Sequence, residues 1–404
     1  MARTTSAKSK STSTANKKGC TLNIKPKILA ENLNLLNAAV SSNKQGIDRL
    51  KIEVGNGQSI FSVGGDIGVE IRHKATKTLN SKPVQVSCRQ IKSLASNLDS
   101  SNQKLTLREE QVTISNQKGT YQHSLVTYFD VIPQDNSEYT PLMEVEATKF
   151  KQALDKVIPF LNSDSKEITS GVCLQIESAN SADSLLTEDT DREKLQLTLV
   201  GLSEPGMGKV TITVDSVETN QLNSTEDVMV ILPKKAATFI ASYAQDFILS
   251  VADKSVRFEW ANVRCNVQTL KGKYPDLDRI EQSVAGNDVE IEFNKNDLAS
   301  ALKRHQVVSS EIEFKVEEEN CQLSQSTETG SGAENIYCSN DSTETIKLNL
   351  LIDYVIKVLT SVESQTVMFK LNLEPDEDKG EPSNNVLIKD KDATYCLSQL
   401  IAEG

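Results

Sequence analysis

Six short amphipathic segments, set into a chain that otherwise alternates apolar and polar residues, constrain this fold more than any other feature. The background reads as β-structure. Leu50–Val54, Lys104–Arg108, Val112–Ser115, Lys209–Val214, Ser255–Trp260, Val289–Phe293 and Val367–Leu373 all run with period 2, bounded by turn residues. That is the pattern of strands buried on one face. Six stretches break it with helical spacing: Lys27–Val40, Cys88–Leu98, Glu146–Leu161, Lys234–Ala244, Lys295–Val308 and Leu351–Val362. Leu29, Leu33, Leu36 and Val40 form the stripe of the first, and Phe150, Leu154, Val157, Ile158 and Leu161 that of the third. Start signals support them: Pro26 and Pro233 before the first turns, and Ser87 as an N-cap.

The spacing of the helices carries the argument further. Their starts at 27, 88, 146, 234, 295 and 351 are separated by 61, 58, 88, 61 and 56 residues. A unit of one helix plus about four strands therefore repeats. The long step holds the polar stretches Ser178–Lys194 and Ser216–Glu226, an insertion of roughly 28 residues by the same repeat logic. Six units taken in pairs predict an α+β chain of three similar domains, spanning 19–138, 139–284 and 285–404. Residues 1–18 are rich in Ser, Thr and Lys and poor in apolar residues, and are expected to form a disordered basic tail.

Composition narrows the function. Of 404 residues, 38% are hydrophobic, enough for packed cores. Lys+Arg number 44 against 56 Asp+Glu, a formal charge of -12. The first 18 residues hold five cations and no acid, leaving -17 on the body. Such a body does not coat itself with nucleic acid at random, so any DNA-facing role needs lysines concentrated locally. The seven cysteines are scattered without a C-x-x-C pair, which predicts reduced, buried thiols. His73, His123 and His305 are too dispersed for a local metal motif. No apolar run approaches the roughly 18 residues of a membrane span, and no secretory signal opens the chain. The expectation is a soluble, cytoplasmic protein.

The polar faces of the helices carry cations. Lys27 and Lys44 flank the first, Arg89 and Lys92 lie on the second, and Lys149 and Lys156 on the third. Lys234 and Lys235 open the fourth, Lys295, Lys303 and Arg304 lie on the fifth, and Lys357 on the sixth. Acids gather in loops instead, at Glu188–Asp191, Glu317–Glu319 and Asp376–Asp378. A shared basic surface suited to phosphates, without the arginine forks that read bases, is expected. No catalytic constellation is present: there is no G-x-S-x-G, P-loop, dinucleotide fingerprint or H-E-x-x-H. The stretch Gly201–Lys209 (GLSEPGMGK) lacks P-loop spacing. No enzymatic activity and no cofactor are expected.

Taken together, these features resemble the bacterial DNA polymerase III beta subunits, the beta sliding clamps. Gly64–Ile71 (GGDIGVEI) is similar to the family's G-T-D-L-E strand, and Tyr128–Leu142 (YFDVIPQDNSEYTPL) to its first interdomain linker. Val230–Ala244 (VILPKKAATFIASYA) is similar to V-I-V-P-R-K-x-x-x-x-L. Lys271–Ile280 (KGKYPDLDRI) is similar to D-G-R-F-P-D-Y-R-R-V, the most specific of the set. The resemblance spans about residues 20 to 404.

It implies a head-to-tail homodimeric ring that encircles double-stranded DNA and tethers a polymerase catalytic subunit, loaded by a clamp loader. The cations above would face DNA. Val112 and Ile114 of one chain would meet Val307 and Val308 of the next at the dimer interface. A peptide groove would be formed by Thr169, Leu202, Met207, Pro275, Arg279, Ile280, Tyr354, Cys396, Ser398, Gln399 and Leu400. Ser203–Glu204–Pro205–Gly206 stands where the family has D-G-H-R, and Ser398–Gln399–Leu400 where it has M-P-M. Two other readings compete: a clamp-derived protein-binding scaffold that does not encircle DNA, and an unrelated β-rich enzyme with a site assembled from distant residues.

Overall fold

The computed structural model describes residues 20–42, 48–74, 81–97, 104–108, 111–115, 119–124, 137–164, 167–178, 194–217, 228–277, 280, 289–328, 330–340, 342, 344–371 and 385–400. The chain divides into two compact units, Met1–Gln134 and Asp135–Gly404. The expected tail and most of both polar insertions lie outside the described residues.

In the first unit the order is β1 (Cys20–Asn23), α1 (Pro26–Ser42), β2 (Leu50–Gly55), β3 (Gln58–Val63), β4 (Ile67–Lys74), β5 (Ser81–Val86), α2 (Cys88–Ser96), β6 (Lys104–Arg108), β7 (Gln111–Ser115) and β8 (Thr120–Ser124). Two antiparallel sheets result. One runs β1-β6-β7-β8 and the other β5-β2-β3-β4. The first strand of each repeat thus joins the sheet of the other repeat, which interlocks the two. Alternation dictates the faces: Leu50, Ile52 and Val54 of β2 are buried while Lys51 and Glu53 pair at the surface. Asn56 and Gly57, both at positive φ, close the two-residue β2–β3 hairpin, where the twist of the strands demands a left-handed turn. Ser87 caps α2 by accepting from the Gln90 amide at 3.1 Å.

The second unit repeats this order twice. First come β9 (Thr140–Val145), α3 (Ala147–Val157), β10 (Gly171–Ser178), β11 (Lys194–Ser203), β12 (Gly206–Ser216), β13 (Val228–Pro233), α4 (Lys234–Tyr243), β14 (Phe247–Ala252), β15 (Ser255–Trp260) and β16 (Val263–Gln268). Then follow β17 (Val289–Asn294), α5 (Lys295–His305), β18 (Glu311–Glu317), β19 (Asn320–Thr327), β20 (Gly330–Asn340), β21 (Ile346–Leu351), α6 (Ile352–Ser361), β22 (Thr366–Leu371), β23 (Asn385–Asp390) and β24 (Ala393–Ser398). The sheets β9-β14-β15-β16 and β13-β10-β11-β12 reproduce the pairing of the first unit. So do β17-β22-β23-β24 and β21-β18-β19-β20.

All six expected helices are present, and each pairs with its repeat mate: α1 with α2, α3 with α4, α5 with α6. Two end earlier than the apolar stripe suggests. The α-helical part of α3 stops at Val157 because Pro159 has no amide to donate, and a 3-10 turn, Ile158–Phe160, continues the apolar face. Helix α5 stops at His305, leaving Val307 and Val308 outside it. Its Asn294 cap accepts from the Asn296 and Asp297 amides, while Lys303 and Arg304 sit in the last turn, where cations suit the helix dipole. Aromatic clusters fill the cores between sheets and helices: Phe150 with Phe247 and Phe258, and Phe293 with Phe314 and Phe369.

All seven cysteines are free and buried, and burial pushes the Cys88 and Cys173 thiols up to about 12. Among the described residues no helix is long and apolar enough to cross a membrane.

Candidate peptide groove and basic helix faces

Within the second unit, β12 pairs along β24, joining the sheet of the first helix pair to that of the second. Met207 lies opposite Cys396, and Gly206 opposite Leu397. Both strands are mostly apolar at this seam, so their inward residues build a shared floor: Cys173, Val200, Met207, Ile231, Tyr274, Leu277, Leu387 and Cys396. Above it opens a cleft of about 530 Å³ lined by Thr169, Leu202, Ser203, Glu204, Gly206, Met207, Pro275, Ile280, Asn385, Cys396 and Ser398. Gly206 is required by the close approach of the strands. A Cβ there would stand 3.0 Å from the Cys396 carbonyl oxygen and 3.2 Å from the Tyr354 ring.

Seven of the expected groove residues line this cleft: Thr169, Leu202, Met207, Pro275, Ile280, Cys396 and Ser398. Tyr354 stands behind the wall, where the Ser203 hydroxyl donates toward its oxygen at 3.0 Å and toward the Gly206 carbonyl at 3.2 Å. Gln399 and Leu400 are half-buried but do not line the cleft, and the Leu400 amide donates to the Asn349 carbonyl. Arg279 lies outside the described residues. Sequence reasoning missed Ser203, Glu204, Gly206 and Asn385. The first three fall in the stretch that departs from the family pattern, and their position in the β11–β12 turn was the available signal.

The seam beneath the groove is held by charge as well as by apolar packing. Lys156, near the end of α3, is 8% exposed, and its ammonium lies 3.1 Å from Glu363 and 3.2 Å from Asp392. Glu363 is also paired with Lys391. Hydrogen bonding from Lys391 first, then from Lys156, holds its carboxyl down at about 2. Phe160 stacks between Tyr354 and Tyr395 at 6.2 and 5.6 Å. Lys156 is therefore a structural tie between the two halves of this unit, and the expectation that it faces DNA is corrected: a buried ammonium committed to two carboxylates has no face for a phosphate.

The other cations vary. Arg89, Lys234, Lys235 and Lys303 are exposed, and none has a recorded ion pair among the described residues. Lys27 is exposed with Glu31 at 4.0 Å, an i,i+4 pair worth little. Lys92 is half-buried on α2. Lys149 is paired with Glu146 at 2.9 Å and opens on a cleft that also holds Glu144, Asp215, Asp246 and Glu259. Lys295 donates to the Val362 carbonyl at 2.9 Å, which closes α6. Arg304 grips Glu334 of β20, and Lys357 sits 3.7 Å over the Tyr354 ring. Lys44 lies outside the described residues.

The expected dimer contacts also divide. Val112 and Ile114 are buried, on a strand paired to both β6 and β8, so neither belongs to a sheet edge. The alternation that makes them apolar points them into the core of the first unit. Among the described residues the sheet's edges are β1 and β8, and on β8 Tyr121 is 49% exposed. Val307 is 87% and Val308 37% exposed.

Comparison with known proteins agrees with this architecture. No family model matches the chain. The beta sliding clamp of Buchnera aphidicola subsp. Rhopalosiphum padi is 20% identical over 368 residues, covering 89% of this chain and 95% of that protein. The Helicobacter pylori beta clamp, solved bound to a DNA ligase peptide, is 16% identical with a TM-score of 0.75, covering 95% of this chain and 100% of that one. The DNA polymerase III beta subunit of Pseudomonas aeruginosa is 14% identical with a TM-score of 0.78, over 95% and 100%. The chain thus carries the fold of the bacterial beta sliding clamps over nearly its whole length, at 14 to 20% sequence identity to these three.

Proposed function

We propose that this chain is a DNA sliding clamp, a non-enzymatic processivity factor. Two copies close into a ring around duplex DNA, in the cytoplasm, and tether a polymerase and other DNA-processing proteins through the groove. The observation that carries the reading is the threefold repetition of one interlocked topology, with a cleft at the seam between the second and third repeats. These repeats support a division into the three domains expected from the helix period, 19–138, 139–284 and 285–404. The clamp solved with a DNA ligase peptide supports peptide capture as the use of such a cleft.

The repeats also indicate how two chains would join. Strands β20 and β8 hold the places in their repeats that β12 and β24 hold at the internal seam. Among the described residues β8 is open, and β20 is open up to its last residues, Cys338–Asn340, which pair with β17; both strands carry exposed aromatics, Tyr337, 68% exposed, on β20 and Tyr121 on β8. Val307 and Val308 would flank β20, and Tyr121 replaces Val112 and Ile114 as the contact from the first domain. Exposed Arg89, Lys234, Lys235 and Lys303 are the cations best disposed to meet phosphates. Non-specific, salt-sensitive contacts suit a ring that must slide, since topology rather than affinity retains the DNA.

The test is retention on DNA of defined topology. Loaded by a clamp loader onto nicked circles, the protein should stay bound at moderate salt and run off once the circle is cut. Equal, salt-sensitive binding to circles and linear ends would favour the protein-binding scaffold instead.

A further inference from the structure

Glu204 stands at the tip of the β11–β12 turn, exposed, on the lining of a cleft otherwise uncharged among the described residues. Its neighbours in the lining are neutral: Thr169, Ser203, Asn385 and Ser398 supply polarity without charge, and no cation lines the cleft among the described residues. Lys271 and Lys273, just before Pro275, are exposed but do not line it. Glu204 has no ion pair or hydrogen bond recorded among the described residues, unlike Glu146, Glu259, Glu290, Glu334 and Glu363, each of which is engaged by a lysine or arginine. A carboxylate beside an apolar floor of Met207, Leu202 and Cys396, with Arg279 outside the described residues, favours an occupant that brings positive charge over one that brings negative charge.

We propose that the groove selects an extended peptide segment that places a lysine or arginine against Glu204 while its large apolar side chains fill the floor. The inference rests on the reading of the cleft as a peptide groove and adds the charge of its preferred occupant. A rim ion pair adds modestly to affinity but discriminates between partners, because the opposite charge at that place is repelled. The net charge of -12 alone would favour any cationic peptide, so the discrimination has to be traced to this one side chain.

Two fluorescent hexapeptides decide it, each carrying two large apolar residues for the floor and differing only in Lys or Glu beside the first of them. Fluorescence anisotropy on the full chain should give the Lys peptide the tighter binding by about fivefold, with the gap narrowing in 0.5 M salt, about a 4 Å screening length. Glu204→Gln should abolish the gap and Glu204→Lys reverse it. Both changes fall on an exposed turn and should leave the melting temperature in place. Equal binding of the two peptides to the unaltered chain would overturn the charge preference while leaving the groove standing. A gap that survives Glu204→Gln would overturn its assignment to Glu204. Binding of neither peptide would remove the groove reading itself, and the proposal with it.

Discussion

The β12–β24 seam and the open edges of β8 and β20 occupy corresponding places in the repeated topology, yet they are built differently. The internal seam combines a continuous strand pairing, a buried lysine shared by two carboxylates, and the stacked rings of Phe160, Tyr354 and Tyr395. The open edges carry Tyr121, Tyr337 and Val307 at the surface, and the ion pair near β20, Arg304 with Glu334, is spent within the chain. A buried lysine is costly to strand without its half-exposed carboxylate partners, whereas an exposed apolar edge can be covered and uncovered reversibly. One kind of seam suits a joint that never opens, the other a joint that must. On the proposed function the difference is what a ring needs, since DNA has to pass through one seam and not the other.

Breaking the internal seam should give the largest effect. Lys156→Glu would set three acids together beneath the groove, and is expected to lower unfolding stability by about 3 kcal/mol, read as a shifted urea midpoint. If Lys156 instead served DNA, stability would hold and only retention on circles would fall. Breaking the open edge should act on association alone. Tyr121→Glu is expected to weaken self-association about 100-fold by sedimentation, as loss of an interface anchor does, with the midpoint unchanged because the residue is exposed. A shifted midpoint would mean that Tyr121 supports its own unit rather than a partner.

How much of this was legible in the sequence differs between the two kinds of seam. Helices and strands were legible because amphipathic period and burial coincide: Leu33 and Leu36 of α1, or Ile291 and Phe293 of β17, are apolar for the reason that they are core. The same coincidence misled the choice of edge. Val112 and Ile114 read as apolar and therefore sticky, but strand order decides which strand is outermost, and pairing is a long-range property that local pattern does not carry. Lys156 failed for a related reason. On the helix wheel it shares a face with Lys149, but the β23–β24 turn and the turn after Val362, more than two hundred residues further along the chain, cover one end of that face and not the other. Seven lining residues of the groove were legible through the family resemblance, Thr169 and Ser398 among them although they depart from its pattern, while the acidic lining at Glu204 lay in a stretch marked only as a departure.

Acid should separate the two seams most finely. At the internal one, the Glu363 carboxyl is held at about 2 against an ordinary 4.5. A lowered carboxyl favours the folded state fully above pH 4.5, and that favour fades as pH falls from 4.5 through 2. Near β20 the titrating group is His305, buried, with its ring against Gly332 and with Arg304 and Glu334 as charged neighbours. Burial foremost lowers its proton affinity below the ordinary 6.5, although Glu334 opposes this. A lowered histidine likewise contributes fully above 6.5 and loses its contribution as pH falls below that value. The region bearing Val307 should therefore loosen at a higher pH than the β12–β24 seam. Urea midpoints between pH 7 and 5.5, bracketing the ordinary histidine value, should show a small loss of stability from His305, well before the loss that Glu363 brings below pH 4.5. His305→Gln should flatten that dependence, and Glu363→Gln should leave it intact while removing the stability loss below pH 4.5. If Glu363→Gln rather than His305→Gln removes the loss between pH 7 and 5.5, then the seam tied by Lys156 is the more acid-sensitive of the two and the contrast between them fails.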